Sequence, residues 1–197
     1  MNGLEYLAVR SSIEEWGLFR DAGAWDALDG LFHPQGKIRV AWYEGHYKKF
    51  IELSRAGSGK SFAKHIICNS SINLRETHAV AETNVILIGR GSIQSITCHG
   101  ETHMRFLDCF QRSQDGRWQI LDRSAVYDHD LLAAVHPGNR LELPDSSAEG
   151  WPIEYRYLAM RLSARGMTVA SDLPTKGSEA EKQIRLRCAE WLAQASA

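Results

Sequence analysis

The start of the chain spaces its apolar side chains as a helix does. Over residues 4–19 they recur every three or four positions among polar residues, which predicts a helix with one buried stripe. The apolar positions of this stretch are Leu4, Leu7, Ala8, Ile13, Trp16, Leu18 and Phe19. Gly23 interrupts the pattern, and a second short helix with Trp25 and Leu28 follows until Pro34 stops it. We therefore predict a hairpin of two short helices.

The pattern then changes to the alternation that is typical of strands. Residues 37–43 alternate Ile38, Val40 and Trp42 with other residues, as a half-buried strand does, and residues 44–57 return to helical spacing. Further strands are separated by the turn sequences RETH, GRGS and SQDGR, and we predict them at 62–75, 79–90, 93–111 and 117–127. Helices followed by an antiparallel meander predict an α+β fold rather than a doubly wound parallel sheet.

The C-terminal part of the chain has a different composition. It contains three of the five prolines, Pro137, Pro144 and Pro152. Helices are predicted after them, at about 151–164 and 178–195. We expect a domain over residues 1–130 and an extension over 131–197, whose two helices pack on that domain or on a neighbouring subunit.

Composition and charge narrow the function classes. The chain has 197 residues, of which 44% are hydrophobic, and 23 basic side chains nearly balance 24 acidic ones. It is long enough to enclose a pocket, and it has no overall field that would attract nucleic acid or an anionic membrane. No signal peptide or membrane-spanning run is visible. The cysteines follow no C-x-x-C spacing, which favours reduced thiols and a cytoplasmic location: Cys68, Cys98, Cys109 and Cys188.

The sequence SRAGSGKS, residues 54–61, resembles the end of a phosphate-binding loop. Its leading glycine position is Ser54, and a helix precedes it and a strand follows it, which is the reverse of the order that the motif requires. A glycine-rich loop between a helix and a strand is the better interpretation, and we expect no nucleotide cofactor.

The sequence HGETH places three side chains that can bind metals on one face of a strand. They are His99, Glu101 and His103. The spacing is neither helical nor that of H-E-x-x-H, and no P-C-x-x-C follows. An exposed polar strand face is the favoured interpretation, and a structural metal site is the alternative that the sequence leaves open. We predict a protein without metal or cofactor.

A histidine stands inside the apolar strand SFAKHIICNSSINL, residues 61–74. His65 is either a hydrogen-bonded core residue or a general base, and the second role requires a partner. Asp21, at the end of the first helix, is the candidate partner. The alternative is that Asp21 caps the second helix, since aspartate is a preferred N-cap residue.

These residues carry a family resemblance. Trp16, then Asp21, then WDAL and Pro34, and later KHIICN and DGRWQILDRSAVYD, resemble scytalone dehydratase. More broadly they resemble the SnoaL-like group of the nuclear transport factor 2 superfamily, which includes hexachlorocyclohexane dehydrochlorinase. The resemblance covers about residues 3–130. It implies a cone-shaped α+β barrel, in which a curved antiparallel sheet wraps around the N-terminal helices and leaves a pocket at its open end.

The resemblance also implies roles for individual residues. In the related lyases the strand histidine is the general base and the helix-end aspartate orients it, which assigns these roles to His65 and Asp21. The dehydratase's second histidine falls on Arg90, which is no base near neutral pH but stabilises an oxyanion. Its two water-holding tyrosines fall on Arg20 and Val40, so its way of polarising a ketone does not carry over.

Other residues are candidates for binding substrate. Tyr43 or Tyr47 replaces part of the role of the lost tyrosines, and Arg105 and Arg123 are either cations of the pocket or surface strand residues. Aromatic side chains provide the pocket wall or plain core: Trp16, Trp42, Phe62, Phe106 and Trp118.

The function expected from all this is that of a cofactor-independent lyase acting on a small aromatic molecule. It would eliminate water, halide or an aldehyde, and formaldehyde loss from a lignin-type diaryl propanediol is one such reaction. The alternatives are an isomerase or cyclase acting on a steroid or polyketide, and a non-catalytic module that binds a small molecule or a protein. Related lyases are trimers or dimers, so a homo-oligomer is expected, without nucleic-acid or membrane partners.

Overall fold

Three helices flank the first strands of the chain. The structure is a computed structural model that describes residues 3–59, 62–143 and 150–195. The expectations for Lys60, Ser61 and Pro144 lie outside these ranges. The helices are α1 (Gly3–Ala22), α2 (Trp25–Gly30) and α3 (Tyr47–Gly57). The predicted helical hairpin is therefore present, and the helix predicted over 44–57 begins three residues later than expected.

Six strands form one curved, unclosed sheet in the order β2-β1-β6-β5-β4-β3. All neighbours are antiparallel except β1 and β6, which run parallel. The predicted α+β cone is confirmed. The strands are β1 (Phe32–Val40), β2 (Tyr43–His46), β3 (Phe62–Arg75), β4 (His78–Ile93), β5 (Ile96–Arg112) and β6 (Trp118–Ala134). Register shifts within β3, β5 and β6 bend the long strands, as bulges do.

One predicted turn lies elsewhere. Strand β4 continues through GRGS to Ile93, and the reversal occurs at Gln94 and Ser95, whose φ angles of 50° and 65° are left-handed. The glycines that favoured a turn, Gly89 and Gly91, have a different role. They leave room above the sheet for two arginine side chains that come from the C-terminal segment.

Helix α1 buries a narrower stripe than its composition predicts. Val9, Ile13 and Trp16 are at most 1% exposed and face the sheet. Leu4, Leu7 and Leu18 were predicted to share this stripe, but they are 76%, 61% and 59% exposed. At 3.6 residues per turn, positions 4, 7 and 18 lie on one side of the helix, and position 13 lies on the opposite side.

Close packing sets the position of α1 on β3. A Cβ at Gly17 would lie 2.7 Å from Cγ1 of Ile67 and 3.7 Å from the carbonyl oxygen of His65. Any other residue at position 17 would therefore require the Ile67 side chain to move. One helical turn beyond Gly17, the last turn of α1 reaches the same part of β3.

The C-terminal segment contributes two helices that contact opposite faces of the sheet. Helix α4 (Arg156–Ser163) packs into the main core through Leu158, Ala159 and Leu162. Helix α5 (Glu179–Ala193) covers the other face through Ile184, which packs with Leu107 and Val126. Among the described helices, none is both long and apolar enough to cross a membrane.

An ion-pair network holds α5 on the outer face of the sheet. Arg105 of β5 contacts Glu82 of β4 at 2.8 Å, Asp128 of β6 at 2.9 Å and Glu181 of α5 at 2.6 Å. Arg185 of α5 closes the network, lying 2.6 Å from Glu82 and 2.8 Å from Glu181. Arg105 and Glu181 are largely buried, where an unpaired charge would be costly. Their contact neutralises both charges.

We expect Gly17→Ala to destabilise the fold, because the added methyl group enters the contact with Ile67. The variant should be about 1–2 kcal/mol less stable than Gly30→Ala, the matched helical glycine with open space around it. Denaturant unfolding measures both values. Equal stabilities of the two variants would contradict the close approach of α1 to β3.

We expect Arg105→Met to lose about 2–3 kcal/mol of stability, because it leaves the Glu181 carboxylate buried with fewer cations. Lys182→Met is the control, since its pair with Glu179 is exposed and screened by solvent, and it should change the stability little. Thermal and denaturant unfolding compare the two. A loss for Arg105→Met as small as that of the control would show that this network does not hold α5.

Candidate active site

A carboxylate on α1 and an imidazole on β3 form a two-point contact. The Oδ1 atom of Asp21 lies 2.6 Å from Nδ1 of His65. The backbone N–H of His65 donates to the second oxygen, Oδ2, at 2.7 Å. With Nδ1 bonded to a carboxylate, the proton of the neutral ring belongs on Nδ1, and Nε2 has its lone pair free. Nε2 has no hydrogen-bond partner within the described ranges.

The end of α1 explains how Asp21 reaches this position. The helix stops at Ala22, Gly23 takes a left-handed φ of 68°, and the N–H of Ala24 returns to the carbonyl of Phe19. Ala24, rather than Asp21, is the N-cap residue of α2, and it makes no side-chain capping bond. The capping alternative for Asp21 therefore does not hold.

Burial and charge act in opposite directions on the two groups. Burial lowers the pKa of His65, Asp21 opposes this, and the nearby positive charges of Arg20 and Arg123 lower it further, so the net direction is downward. Burial alone would raise the pKa of Asp21, but the hydrogen bonds and charge of His65 and the charge of Lys64 outweigh it and lower that pKa. Near neutral pH the pair is a neutral imidazole beside a carboxylate.

His65 lines a cavity of about 460 Å³ that the sheet, α1, α3 and α4 enclose. Most of its wall is apolar and aromatic. Trp16 stands edge-on to the His65 ring, with the two ring centroids 5.2 Å apart. The other large wall residues are Val40, Trp42, Phe50, Leu53, Phe62, Leu87, Met104, Phe106, Tyr127, Leu158, Leu162 and Met167. The volume and wall suit a small molecule with an aromatic body.

Three arginines bring positive charge to this wall: Arg20, Arg161 and Arg165. The guanidinium of Arg20 lies over the rings of Trp25 and Phe50 at 5.5 Å and 5.9 Å. No aspartate or glutamate belongs to the wall within the described ranges. The cavity is therefore apolar with a positive charge, and its arginines have no carboxylate in the wall to neutralise them.

The structure brings part of the predicted site together. The residues that line the cavity are His65, Trp16, Arg20, Val40, Trp42, Phe62 and Phe106, and Asp21 contacts His65 from behind. Tyr43 and Tyr47 are outside the wall. The hydroxyl of Tyr43 donates to the carbonyl of His46, and the ring of Tyr47 stacks on Phe32 in the core.

Arg90 points away from the cavity and is exposed. The cross-strand partner of His65 is Leu87, which lines the cavity with it. Arg90 is three residues further along β4, and an odd number of residues places a side chain on the opposite face of a strand. Its position gives no support to the oxyanion-stabilising role that the resemblance assigned to it.

The other two strand arginines are also outside the wall. Arg105 lies on the outer face in the network that holds α5. Arg123 is fully buried and pairs with Asp108, with nitrogen–oxygen distances of 2.8 Å and 2.7 Å. Its guanidinium stacks on Trp16 and Phe106 at 4.7 Å and 4.5 Å, behind the rings that form the wall. Arg123 therefore supports the wall and lowers the pKa of His65 from a distance.

The HGETH residues also lie away from the cavity. The Glu101 carboxylate lies between the two histidines, 3.2 Å from Nε2 of His99 and 3.5 Å from Nε2 of His103. Each of these side chains is about one-third exposed, and His103 stacks on His129. Within residues 3–59, 62–143 and 150–195, no group of His, Cys, Asp or Glu side chains is arranged to hold a metal ion.

Sequence reasoning named none of the residues by which the C-terminal segment lines the cavity. Leu158, Arg161, Leu162 and Arg165 all line the cavity. The spacing of the first three was a usable signal, since positions 158, 161 and 162 share one face of the helix that was predicted there. Arg165 lies just beyond that helix.

Comparisons with known proteins agree with this architecture. A model of the SnoaL-like domain matches residues 4–124. Pea pathogenicity protein 2 of Fusarium vanettenii is 29% identical over 177 residues, which cover 87% of this chain and 75% of that protein. An uncharacterized protein of Aspergillus terreus is 28% identical over 189 residues and covers 87% of this chain and 70% of its own length.

Solved structures share the fold. A Novosphingobium aromaticivorans protein assigned as a scytalone dehydratase superposes with a TM-score of 0.57 and 20% identity, covering 72% of this chain and 97% of that chain. A Mycobacterium tuberculosis protein of unknown function gives a TM-score of 0.56 with 12% identity over 84% of this chain and 98% of that chain. SnoaL-like domains bind small molecules, and dehydratases, cyclases and isomerases occur among them. Since the family model matches more than half of the chain, this protein belongs to the SnoaL-like domain family.

Proposed function

We propose that the protein is a cofactor-independent lyase, in which His65 is the general base and Asp21 is its orienting partner. The observation that carries the proposal is the 2.6 Å contact between Asp21 Oδ1 and His65 Nδ1 at the wall of an apolar cavity. The carboxylate fixes the ring tautomer and stabilises the imidazolium that forms when Nε2 takes a proton. The lowered pKa of His65 keeps the ring neutral, and thus basic, at neutral pH.

The reaction proposed is an elimination. The base takes a proton from a carbon of the substrate, and the electron pair of that C–H bond becomes a carbon–carbon double bond. Halide leaves with its own bonding pair, or hydroxide leaves in the same way and takes the proton from the imidazolium to become water. For a diaryl propanediol, the base takes the hydroxymethyl proton instead. The oxygen of the hydroxymethyl group keeps the O–H electron pair and forms the C=O bond of formaldehyde as the bond between its carbon and the chain breaks. The electron pair of that carbon–carbon bond forms the alkene and expels the neighbouring hydroxyl as hydroxide, which takes the proton from the His65 imidazolium and leaves as water. Formaldehyde is the second product.

The apolar wall and the cations favour this chemistry. Trp16, Trp42 and Phe106 form an aromatic wall beside His65, and they suit an aryl substrate. Negative charge that develops on the substrate or leaving group is stabilised by the wall arginines, where apolar surroundings make charge interactions strong. We assign this role to Arg20 and Arg161, in place of Arg90.

An isomerase or cyclase is the second candidate function. It would use the same base and return the proton to another atom of the substrate, and the 460 Å³ volume accommodates a steroid-sized molecule. A non-catalytic binding module is less favoured, because an Asp–His pair that is at most 10% exposed is costly to keep without a use.

We also propose an arrangement of the chain. Residues 1–130 form the SnoaL-like domain, and the segment 131–197 completes its cavity on one face and covers its sheet on the other. A homo-oligomer, either a dimer or a trimer, remains our prediction, and native mass measurement of the full chain tests it.

We expect His65→Gln to abolish turnover while the protein stays folded. A panel of aryl β-hydroxy ketones, aryl alkyl halides and diaryl propanediols identifies a substrate of the wild-type protein, and alkene formation is followed by ultraviolet absorbance. For that substrate, His65→Gln should lower kcat by about 10²–10⁴-fold and Asp21→Asn by about 10²-fold. His99→Gln, a strand histidine outside the cavity, is the matched control and should keep full activity. Turnover that survives His65→Gln in a folded protein would refute the assignment.

We expect the pH dependence of kcat/KM to report the lowered pKa of His65. The rate should rise as the ring loses its proton, with an inflection below the ordinary histidine value of about 6.5. Asp21 raises the pKa of His65, so Asp21→Asn should move the inflection to still lower pH. Rate profiles and NMR titration of the ring nitrogens measure both shifts. An inflection above the ordinary value, or a shift to higher pH in Asp21→Asn, would contradict the electrostatics.

A further inference from the structure

Arg161 is a buried cation that forms no hydrogen bond or ion pair with the residues that the structure describes. Its side chain comes from α4, lines the cavity and is 7% exposed. Its Nε and Nη2 atoms are buried and make no hydrogen bond with the described residues. Donors of a charged group that are left unpaired in this way cost free energy, so the arrangement calls for an acceptor.

The sheet is shaped to receive this guanidinium. Gly89 and Gly100 are cross-strand partners on β4 and β5, at the place where Arg161 lies over the sheet. A Cβ at Gly89 would lie 2.1 Å from Nη1 of Arg161, and one at Gly100 would lie 2.7 Å from its Cζ. Two glycines opposite each other therefore leave a shallow seat for the planar group, which no side chain at either position would permit.

No carboxylate of the described residues forms an ion pair with Arg161, although Asp130 lies near enough to raise its pKa. Burial lowers its pKa, and the positive charge of Arg165 lowers it further, while Asp130 raises it. The Oδ2 atom of Asp130 accepts the backbone N–H of Leu158 at 2.7 Å, so this carboxylate caps the start of α4. Burial raises the pKa of Asp130 to about 6, because it disfavours the ionised carboxylate.

The cavity thus combines an apolar, aromatic wall with an unpaired guanidinium fork. An ionised carboxylate is the acceptor that matches this fork, since it receives two parallel N–H bonds from an arginine. We propose that Arg161 binds the carboxylate of an aromatic acid, so that the substrates of this protein are aromatic carboxylic acids. The binding of an acid by Arg161 does not depend on the proposed function. Only the statement that this acid is a substrate rests on it.

The same contact assigns a role to the C-terminal segment. Leu158, Leu162 and Arg161 reach the cavity from one helix, so the segment supplies both apolar wall and the anion-binding group. His65 lines the same cavity from β3. The glycine seat lies on the next two strands of the sheet, β4 and β5. The acid would therefore be held at one end by Arg161 while its carbon skeleton lies beside the base.

The test compares the binding of matched acids and amides at about pH 7.5, which is one unit above the ordinary pKa of histidine. The probes are phenylacetate, cinnamate and naphthoate, each beside its neutral primary amide, and calorimetry measures their affinities for the full chain. At least one acid should bind about 10-fold more tightly than its amide, and Arg161→Gln should remove that preference. Equal binding of every pair, or no binding of any acid, would overturn the proposal.

Two glycine variants keep the test decisive if Arg161→Gln does not fold. Gly100→Ala displaces the guanidinium and leaves its charge in place, so the preference for the acid should fall. Gly91→Ala is the matched control, because its Cβ would meet only Nη2 of Arg165 at an ordinary 3.6 Å, and it should keep the preference. A preference that survives Gly100→Ala unchanged would count against the seat.

His65→Gln separates this inference from the proposed function. The variant leaves the seat of Arg161 intact, so it should still prefer the acids even though turnover is lost. If no compound is turned over by the wild-type protein but Arg161→Gln removes the preference for acids, anion binding stands and the lyase assignment fails. If turnover depends on His65 but acids and amides bind equally, the lyase assignment stands and the role of Arg161 fails.

Discussion

The Asp21 carboxylate accepts two hydrogen bonds from a single residue of β3, and the site depends on this contact. One oxygen receives the backbone N–H of His65 and the other faces its ring nitrogen, so the carboxylate holds both the strand and the imidazole. The contact requires α1 to lie very close to β3, which Gly17 permits. A helix that stood further away would leave the ring without its partner and the cavity without its base.

The arginines show how one residue type serves different purposes around a curved sheet. On the outer face, Arg105 is neutralised by three carboxylates and holds α5. Behind the wall, Arg123 is neutralised by Asp108 and stacked between two aromatic rings. Arg161 lines the cavity, and in the described part of the chain no counterion contacts it. The difference in pairing, rather than burial alone, distinguishes a structural arginine from one that is available to a ligand.

Much of the fold could be predicted from periodicity, because helices and strands bury one face each. The resemblance directed attention to Asp21 and His65, which the structure places in contact. The face on which a strand side chain lies depends on the exact pairing of the strands, which the resemblance did not provide. Arg90 lies an odd number of residues from Leu87, the partner of His65, and therefore on the face opposite the cavity. Arg161 was missed for another reason. A glycine pair on two strands seats it, and only the folded sheet brings Gly89 and Gly100 together.

We expect the cavity between the sheet and α4 to hold an aromatic acid between Arg161 and His65. A crystal structure of the full chain with naphthoate is the decisive experiment. The carboxylate should lie within about 3.2 Å of the Arg161 guanidinium, and the aromatic body should lie beside Nε2 of His65. Naphthoate bound outside the cavity, or Arg161 paired with a carboxylate of the protein while the cavity holds no acid, would rule this arrangement out.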